Sequence, residues 1–343
     1  MNGAIGYYVH HHGRGHRERA MAIATYAPDR FTLIGTGLAD LPEPFLRLDL
    51  ADDRAIDDET FAGADGGGER PDALHYAPFA HEGVRARNHA MVEWMMREKP
   101  AAIVVDVSVE AAMLARLCAT PTIYVRLAGD RSDPAHLDAF RGARALLAPF
   151  HAELDDPGTA DWVRAKTRYA PGLAGPGAVP LPQEDAVLVV AGAGGSCIDG
   201  NLLAAAASAT PDLKWRVVGR IAAANAAPKN LTMLGWITDV GREIARAGVV
   251  VGAAGDGVLG AVAAAGRPYV CLPEPRPYGE QTAKARRLRA LDAAIVLDRW
   301  PDASDWPDIL GRARGLDTRR LYQLHEPKGA ERAAAFLMEV ADR

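Results

Sequence analysis

The chain has 343 residues, 49% of them apolar and only 6% aromatic, a length that favours two compact cores over one and a composition that suits helices on parallel strands rather than an aromatic-rich sandwich. Its 39 Lys and Arg against 44 Asp and Glu leave a net charge of -5, so there is no global positive field to hold nucleic acid. Three cysteines, Cys118, Cys197 and Cys271, are odd in number, far apart and set in apolar runs, which argues against a disulfide framework or a cysteine zinc site and reads as buried free thiols in a reducing cytoplasm.

In chain order, the first predicted strand covers residues 5–9 and has neither a basic segment nor a long apolar stretch before it. No later run reaches the roughly 18 apolar residues of a spanning helix, so the expected protein is cytoplasmic, with at most peripheral contact to a membrane. Further strands are expected at 31–34, 102–107, 122–125 and 145–148. Between them, Val84, Met91, Val92 and Met95 at helical spacing predict a helix over 81–99 that stops before Pro100, and Met91, Met95 and Met96 read as core filling. Residues 49–76, with acidic runs and Gly66-Gly67-Gly68, break the rhythm and read as an insertion, either a cover for an acceptor site or a plain surface excursion. Prolines 157, 171, 176, 180 and 182 interrupt both periodicities, and the connection between domains is expected near 171–183.

The alternation then restarts, with strands at 186–191, 215–218, 231–234, 249–252, 269–272 and 294–297 and helices at 239–247, 258–265 and 280–291. The expected fold class is α/β, two Rossmann-like parallel-sheet domains facing across a cleft. The first spans 1–170 and the second 183–328, and an amphipathic helix over 329–342 can cross back to the first. Each half begins with a strand running into a glycine-rich loop and a helix. A helix start offers unpaired N–H groups and a positive dipole end, so such turns favour phosphate groups. A third glycine segment, Gly252-Ala253-Ala254-Gly255-Asp256-Gly257, ends a strand and opens a small-residue helix; its small side chains let a ligand approach the backbone.

These segments resemble the donor-binding domain of GT-B glycosyltransferases, closest to the type that adds N-acetylglucosamine to the lipid-linked peptidoglycan precursor. The resemblance runs through Val189-Val190-Ala191-Gly192, Leu234-Gly235-Trp236-Ile237-Thr238-Asp239, Ala254-Gly255-Asp256-Gly257, Ala265-Gly266-Arg267-Pro268 and Gly279-Glu280-Gln281. In the first half it rests on Gly13-Arg14-Gly15-His16. It implies a nucleoside diphosphate sugar donor, a UDP-sugar by analogy, and no cofactor beyond it. Its base would lie near Trp236 and Ile237, its diphosphate against Gly255, Asp256, Gly257 and Val258 with Gly13, Gly15, Gly194, Gly195 and Ser196, and its sugar hydroxyls against Glu280 and Gln281. The acceptor would be a small or lipid-linked molecule. One departure is Ala261, which stands where the family carries a Glu that grips the ribose.

By the same resemblance His16 occupies the catalytic position, as the base that takes the acceptor proton in an inverting, metal-independent transfer. Asp106, at the carboxyl end of a predicted strand, is a candidate to orient it; Arg126 and Asp130 fall on the same rim. The run His10, His11 and His12 does not predict a metal site, because adjacent side chains of an extended segment point to opposite faces. A nucleotide-sugar 2-epimerase and a noncatalytic nucleotide-sugar-binding protein, the latter motivated by Ala261, are the alternatives.

Overall fold

The computed structural model describes residues 3–11, 14–54, 71–173, 181–192 and 198–343. Seven parallel strands form the first sheet: β1 (Ile5–Tyr8), β2 (Phe31–Gly35), β3 (Leu46–Asp49), β4 (Ala102–Asp106), β5 (Thr122–Val125), β6 (Ala145–Ala148) and β7 (Thr167–Tyr169), in the order β3-β2-β1-β4-β5-β6-β7. Six parallel strands form the second: β8 (Ala186–Val190), β9 (Lys214–Val218), β10 (Leu231–Gly235), β11 (Val249–Gly252), β12 (Tyr269–Cys271) and β13 (Ile295–Val296), in the order β10-β9-β8-β11-β12-β13. The central strands β1, β4, β8 and β11 are buried along their whole length, as strands covered by helices on both faces must be.

Helices α1 (Arg14–Ala24), α2 (Glu82–Glu98), α3 (Val109–Leu117), α4 (Pro134–Gly142) and α5 (Asp161–Lys166) belong to the first sheet. With the second sheet go α6 (Gly200–Ala209), α7 (Val240–Arg246), α8 (Asp256–Ala265), α9 (Glu280–Ala290), α10 (Trp306–Arg314) and α11 (Arg319–Tyr322). The last helix, α12 (Gly329–Asp342), returns to the first sheet, where Ala333, Ala334, Leu337 and Val340 share a core with Ile5, Ala20, Ile23 and Phe31. Burying Leu337 and Val340 contributes about 1.5–3 kcal/mol each, and Arg30 fastens the helix end by pairing with Asp342 at 2.8 Å.

In both sheets the strand order reverses beside the first strand, between β1 and β4 and between β8 and β11. The crevice outside the carboxyl ends of the strands at such a reversal is where open α/β sheets bind ligands. Here β1 leads to His10, His11 and α1, β4 ends on Asp106, and β11 leads to α8.

Two edge strands, β3 and β7, have no counterpart among the sequence-predicted strands. Both are short, and β3 is largely exposed, with Leu46 at 48%, so neither leaves an apolar run to read. Met91 and Met95 fill the core as expected, whereas Met96 is 66% exposed on the outer face of α2. Cys118 is only half-buried, unlike Cys271, and Cys197 lies outside the described residues, as do His12 and Gly66-Gly67-Gly68 of the expected insertion. Helix α8 begins at Asp256, two residues earlier than the periodicity implies. No described helix is long and apolar enough to cross a membrane.

Candidate active site

Asp106, the last residue of β4, is fully buried. An isolated carboxylate there would be costly, and four donors answer it. Arg19 donates from Nε to Oδ2 at 3.1 Å and from Nη2 to Oδ1 at 3.0 Å, and the Tyr7 hydroxyl donates to Oδ2 at 3.3 Å. His16 Nδ1 lies 2.9 Å from Oδ1. Because a carboxylate only accepts, the imidazole proton sits on Nδ1 and Nε2 is left in its basic form; Arg19 Nη2, also 3.0 Å from that nitrogen, gives its hydrogen to the carboxylate. Burial alone would raise the carboxyl pKa, but Arg19 and His16 outweigh it and hold Asp106 well below the usual carboxylate range.

The same guanidinium reaches the other half of the molecule. Arg19 Nη1 lies 3.6 Å from Asp256 Oδ2 at the start of α8. Lys284 of α9, fully buried, donates to Asp256 Oδ1 at 2.6 Å and to Glu280 Oε1 at 3.0 Å. Burial works against the ammonium, yet the two carboxylates keep its pKa raised. His16, Asp106, Arg19, Asp256, Lys284 and Glu280 therefore form one chain of charged groups across the cleft.

Helix α8 starts at Gly255 without a side-chain cap, so its first-turn N–H groups keep their capacity for an anion. Gly257 is exposed and Gly255, Asp256 and Val258 half-buried, and a crevice of about 50 Å³ between the halves is lined by Gly15, Arg19, Asp256 and Gly257 among others. Trp236 is 46% exposed just beyond β10, next to Gly235 with its left-handed φ of 66°, while Ile237 packs on the core of the second sheet. Gln281 is buried, and its Oε1 accepts from the backbone N–H of Glu274 at 2.8 Å. Ala261 is half-buried on α8. Gly13, Gly194, Gly195 and Ser196 lie outside the described residues.

Arg126 does not face the cleft: it is 3% exposed and ion-paired with Asp155, with Tyr169 accepting from Nη2 at 3.0 Å. Asp130 sits at a second contact between the halves, where its N–H donates to Tyr278 O at 2.8 Å. Next to it Gly129 has φ +95°, and a Cβ there would stand 2.3 Å from Tyr278 O. The Tyr278 ring meets Arg131 at 4.7 Å and His136 edge-on at 4.7 Å. Among the described residues, one group has metal-ligand spacing, His75, Asp133 and His136, with ligand atoms within 4.8 Å of one another. These atoms bond each other: Asp133 lies 2.8 Å from His75 Nε2 and 2.5 Å from His136 Nδ1, and Arg131 donates to His136 Nε2 at 3.0 Å. A guanidinium in that position opposes a cation, and the cluster serves as the seat for Tyr278.

Sequence reasoning passed over Arg19 and Lys284. Arg19 stands one helical turn from His16 on the same face, and Glu280 and Lys284 have the i,i+4 spacing of an ion pair; both signals were in the sequence, but their partners were not.

No protein-family model matches the chain, and no curated protein matches it in sequence. Solved structures do match in shape. A glycotransferase of kitacinnamycin superposes with a TM-score of 0.75 at 15% identity, covering 99% of this chain and 100% of that one. The MurG of Acinetobacter baumannii gives 0.64 at 16% identity, with 99% and 100% covered. The spinosyn rhamnosyltransferase complexed with thymidine diphosphate gives 0.67 at 13% identity, with 98% and 99% covered. The fold is thus the two-domain α/β fold of GT-B glycosyltransferases, MurG included, along essentially the whole chain.

Proposed function

We propose that the protein is a glycosyltransferase that moves a sugar from a nucleoside diphosphate donor, a UDP-sugar by resemblance, to an acceptor hydroxyl, with inversion and without a metal. The observation that carries this reading is the 2.9 Å contact of His16 Nδ1 with Asp106 Oδ1 beside a crevice where α1 and α8 face each other. With Nδ1 held by Asp106, His16 Nε2 takes the acceptor proton as the hydroxyl oxygen attacks the anomeric carbon. Asp106 fixes the tautomer and stabilises the imidazolium that forms, and Arg19 and Tyr7 hold Asp106. The bond from the anomeric carbon to the diphosphate oxygen breaks, and its negative charge is met by the uncapped N–H groups of α8, with Arg19 close by. Trp236 offers an exposed ring for the base, and Glu280 and Gln281 stand at the start of α9 for the sugar.

The test is direct. The purified chain is incubated with uridine and thymidine diphosphate sugars and a panel of hydroxylated acceptors, and products are read by mass spectrometry and by the anomeric configuration of the new glycoside. Transfer that disappears in His16→Ala supports the reading. Isomerised sugar nucleotide without transfer would replace it with an epimerase, and nucleotide binding with neither reaction would leave a binding protein.

A further inference from the structure

A second histidine, carboxylate and guanidinium stand together in the first domain, apart from the group that holds His16. His11 Nδ1 lies 3.1 Å from Asp53 Oδ1. Arg87, only 4% exposed, forms an ion pair with the same Asp53 oxygen and donates from Nη2 to the Tyr8 hydroxyl at 2.7 Å. Burial alone would raise the Asp53 pKa, and His11 and Arg87 together pull it below the ordinary value. Arg87 Nη1 and Asp53 Oδ1 touch as charges without an aligned hydrogen bond, so both retain hydrogen-bonding capacity. The His10 ring stands between the two clusters, 4.8 Å from the His11 ring and 5.7 Å from the His16 ring.

This cluster lines one end of a cavity of about 360 Å³, and the other walls are apolar, with Leu74, Val84 and Leu114 among them. That volume falls in the range of small-molecule sites. It is too small to enclose a long polyisoprenoid chain, and its apolar walls leave the ring hydroxyls of a sugar without partners.

We propose that His11, Asp53 and Arg87 form an anchoring subsite for the acceptor. The acceptor is then a compact molecule with an apolar body and two hydrogen-bonding groups at one end, one hydroxyl presented to His16 and the second group held at His11 and Arg87. The proposal rests on the transferase reading and adds the substrate class to it.

Calorimetry on the full chain with 2,3-dihydroxynaphthalene, 2-naphthol, lactose and a short polyprenol tests it, with uridine and thymidine diphosphates titrated into the same samples. The dihydroxy compound is expected to bind roughly threefold to tenfold more tightly than 2-naphthol, the worth of one further hydrogen bond. His11→Gln brings the two to parity without changing nucleotide affinity, and Leu114→Trp, which fills the cavity, abolishes both. Asp53→Asn repeats the first result if its circular dichroism is native. Equal binding of the two compounds, a preference that survives His11→Gln, no binding of either, or selective binding of lactose or the polyprenol overturns the proposal. Failure of every nucleoside diphosphate to bind the wild type, with the naphthol preference intact, instead counts against the transferase reading.

Discussion

Arg19 and Asp256 meet across the cleft, with Nη1 of the guanidinium 3.6 Å from Oδ2 of the carboxylate. The other two nitrogens of the same side chain grip Asp106, so the group that orients His16 is tied to the first turn of α8. Closing the halves and aiming the base are thereby one event. Three contacts on one planar group need the fixed fork of an arginine, which a lysine lacks. Arg19→Lys is expected to keep the fold, with Asp106 still neutralised, and to lower kcat by roughly 100-fold through misplacement of His16. Steady-state kinetics with donor and acceptor varied separately check this; an unchanged kcat would mean that Arg19 serves only the fold.

His16 and Asp106 separate chemistry from structure. His16 is 13% exposed at its side chain and Asp106 is not exposed at all. His16→Ala removes the base from an accessible position, and its expected effect is a fall in kcat of about 10²–10⁴-fold with the melting temperature and nucleotide affinity retained. Asp106→Asn leaves Arg19 buried without its carboxylate, so it should cost about 3–5 kcal/mol of stability as well as activity. Thermal melts beside the kinetics distinguish the two; equal destabilisation by both substitutions would place His16 among the packing residues.

How far the sequence carried the fold and the site follows from where each residue finds its partners. Ile103, Val104 and Val105, buried on both faces of the sheet, announce a central parallel strand by themselves. An edge strand such as β3, open to solvent, carries no such pattern. His16 was legible because a glycine loop precedes it, and Asp106 because it ends a strand beside the sheet reversal. The partnership of Arg19 with Asp106 joins residues 87 positions apart, and that of Lys284 with Asp256 joins residues 28 apart. A local pattern contains no trace of either, since the fold alone brings them together. Arg126 shows the converse: a residue at a strand end that the fold turns toward Asp155 rather than the crevice.

Gly129 sets how closely the halves approach. A Cβ at this position would stand 2.3 Å from Tyr278 O and 2.9 Å from Glu280 N, and φ of +95° is itself unfavourable for any other residue. The backbone strain alone costs of order 1–3 kcal/mol, so Gly129→Ala is expected either to lower stability or to separate Asp130 from Tyr278. Limited proteolysis and small-angle scattering should then show looser domains, with nucleotide binding to the second domain preserved. Compact scattering with an unchanged melting temperature would refute the steric argument.

Two buried histidines make stability depend on acid. His10 is pushed down to about 3, first by burial and then by His16 and His11, and His136 is pushed down to about 4, first by burial and then by Arg131. Asp133 and His75 bond to the His136 cluster, and Asp133 itself is held below the ordinary carboxylate value by these histidines after overcoming its own burial, so it titrates only in stronger acid. A histidine kept neutral by the fold takes up a proton when the chain unfolds. Below the ordinary value of about 6.5 the unfolded chain therefore binds more protons than the folded one. Stability contributed by the neutral form is complete above that value and is lost as pH falls toward the lowered ones. Urea unfolding between pH 4 and 7 should show this slope, and His136→Gln should reduce it by up to about 1.4 kcal/mol per pH unit. A slope identical to that of the wild type would mean that His136 already carries its proton in the folded protein, and the Tyr278 seat would then have to accommodate an imidazolium beside Arg131.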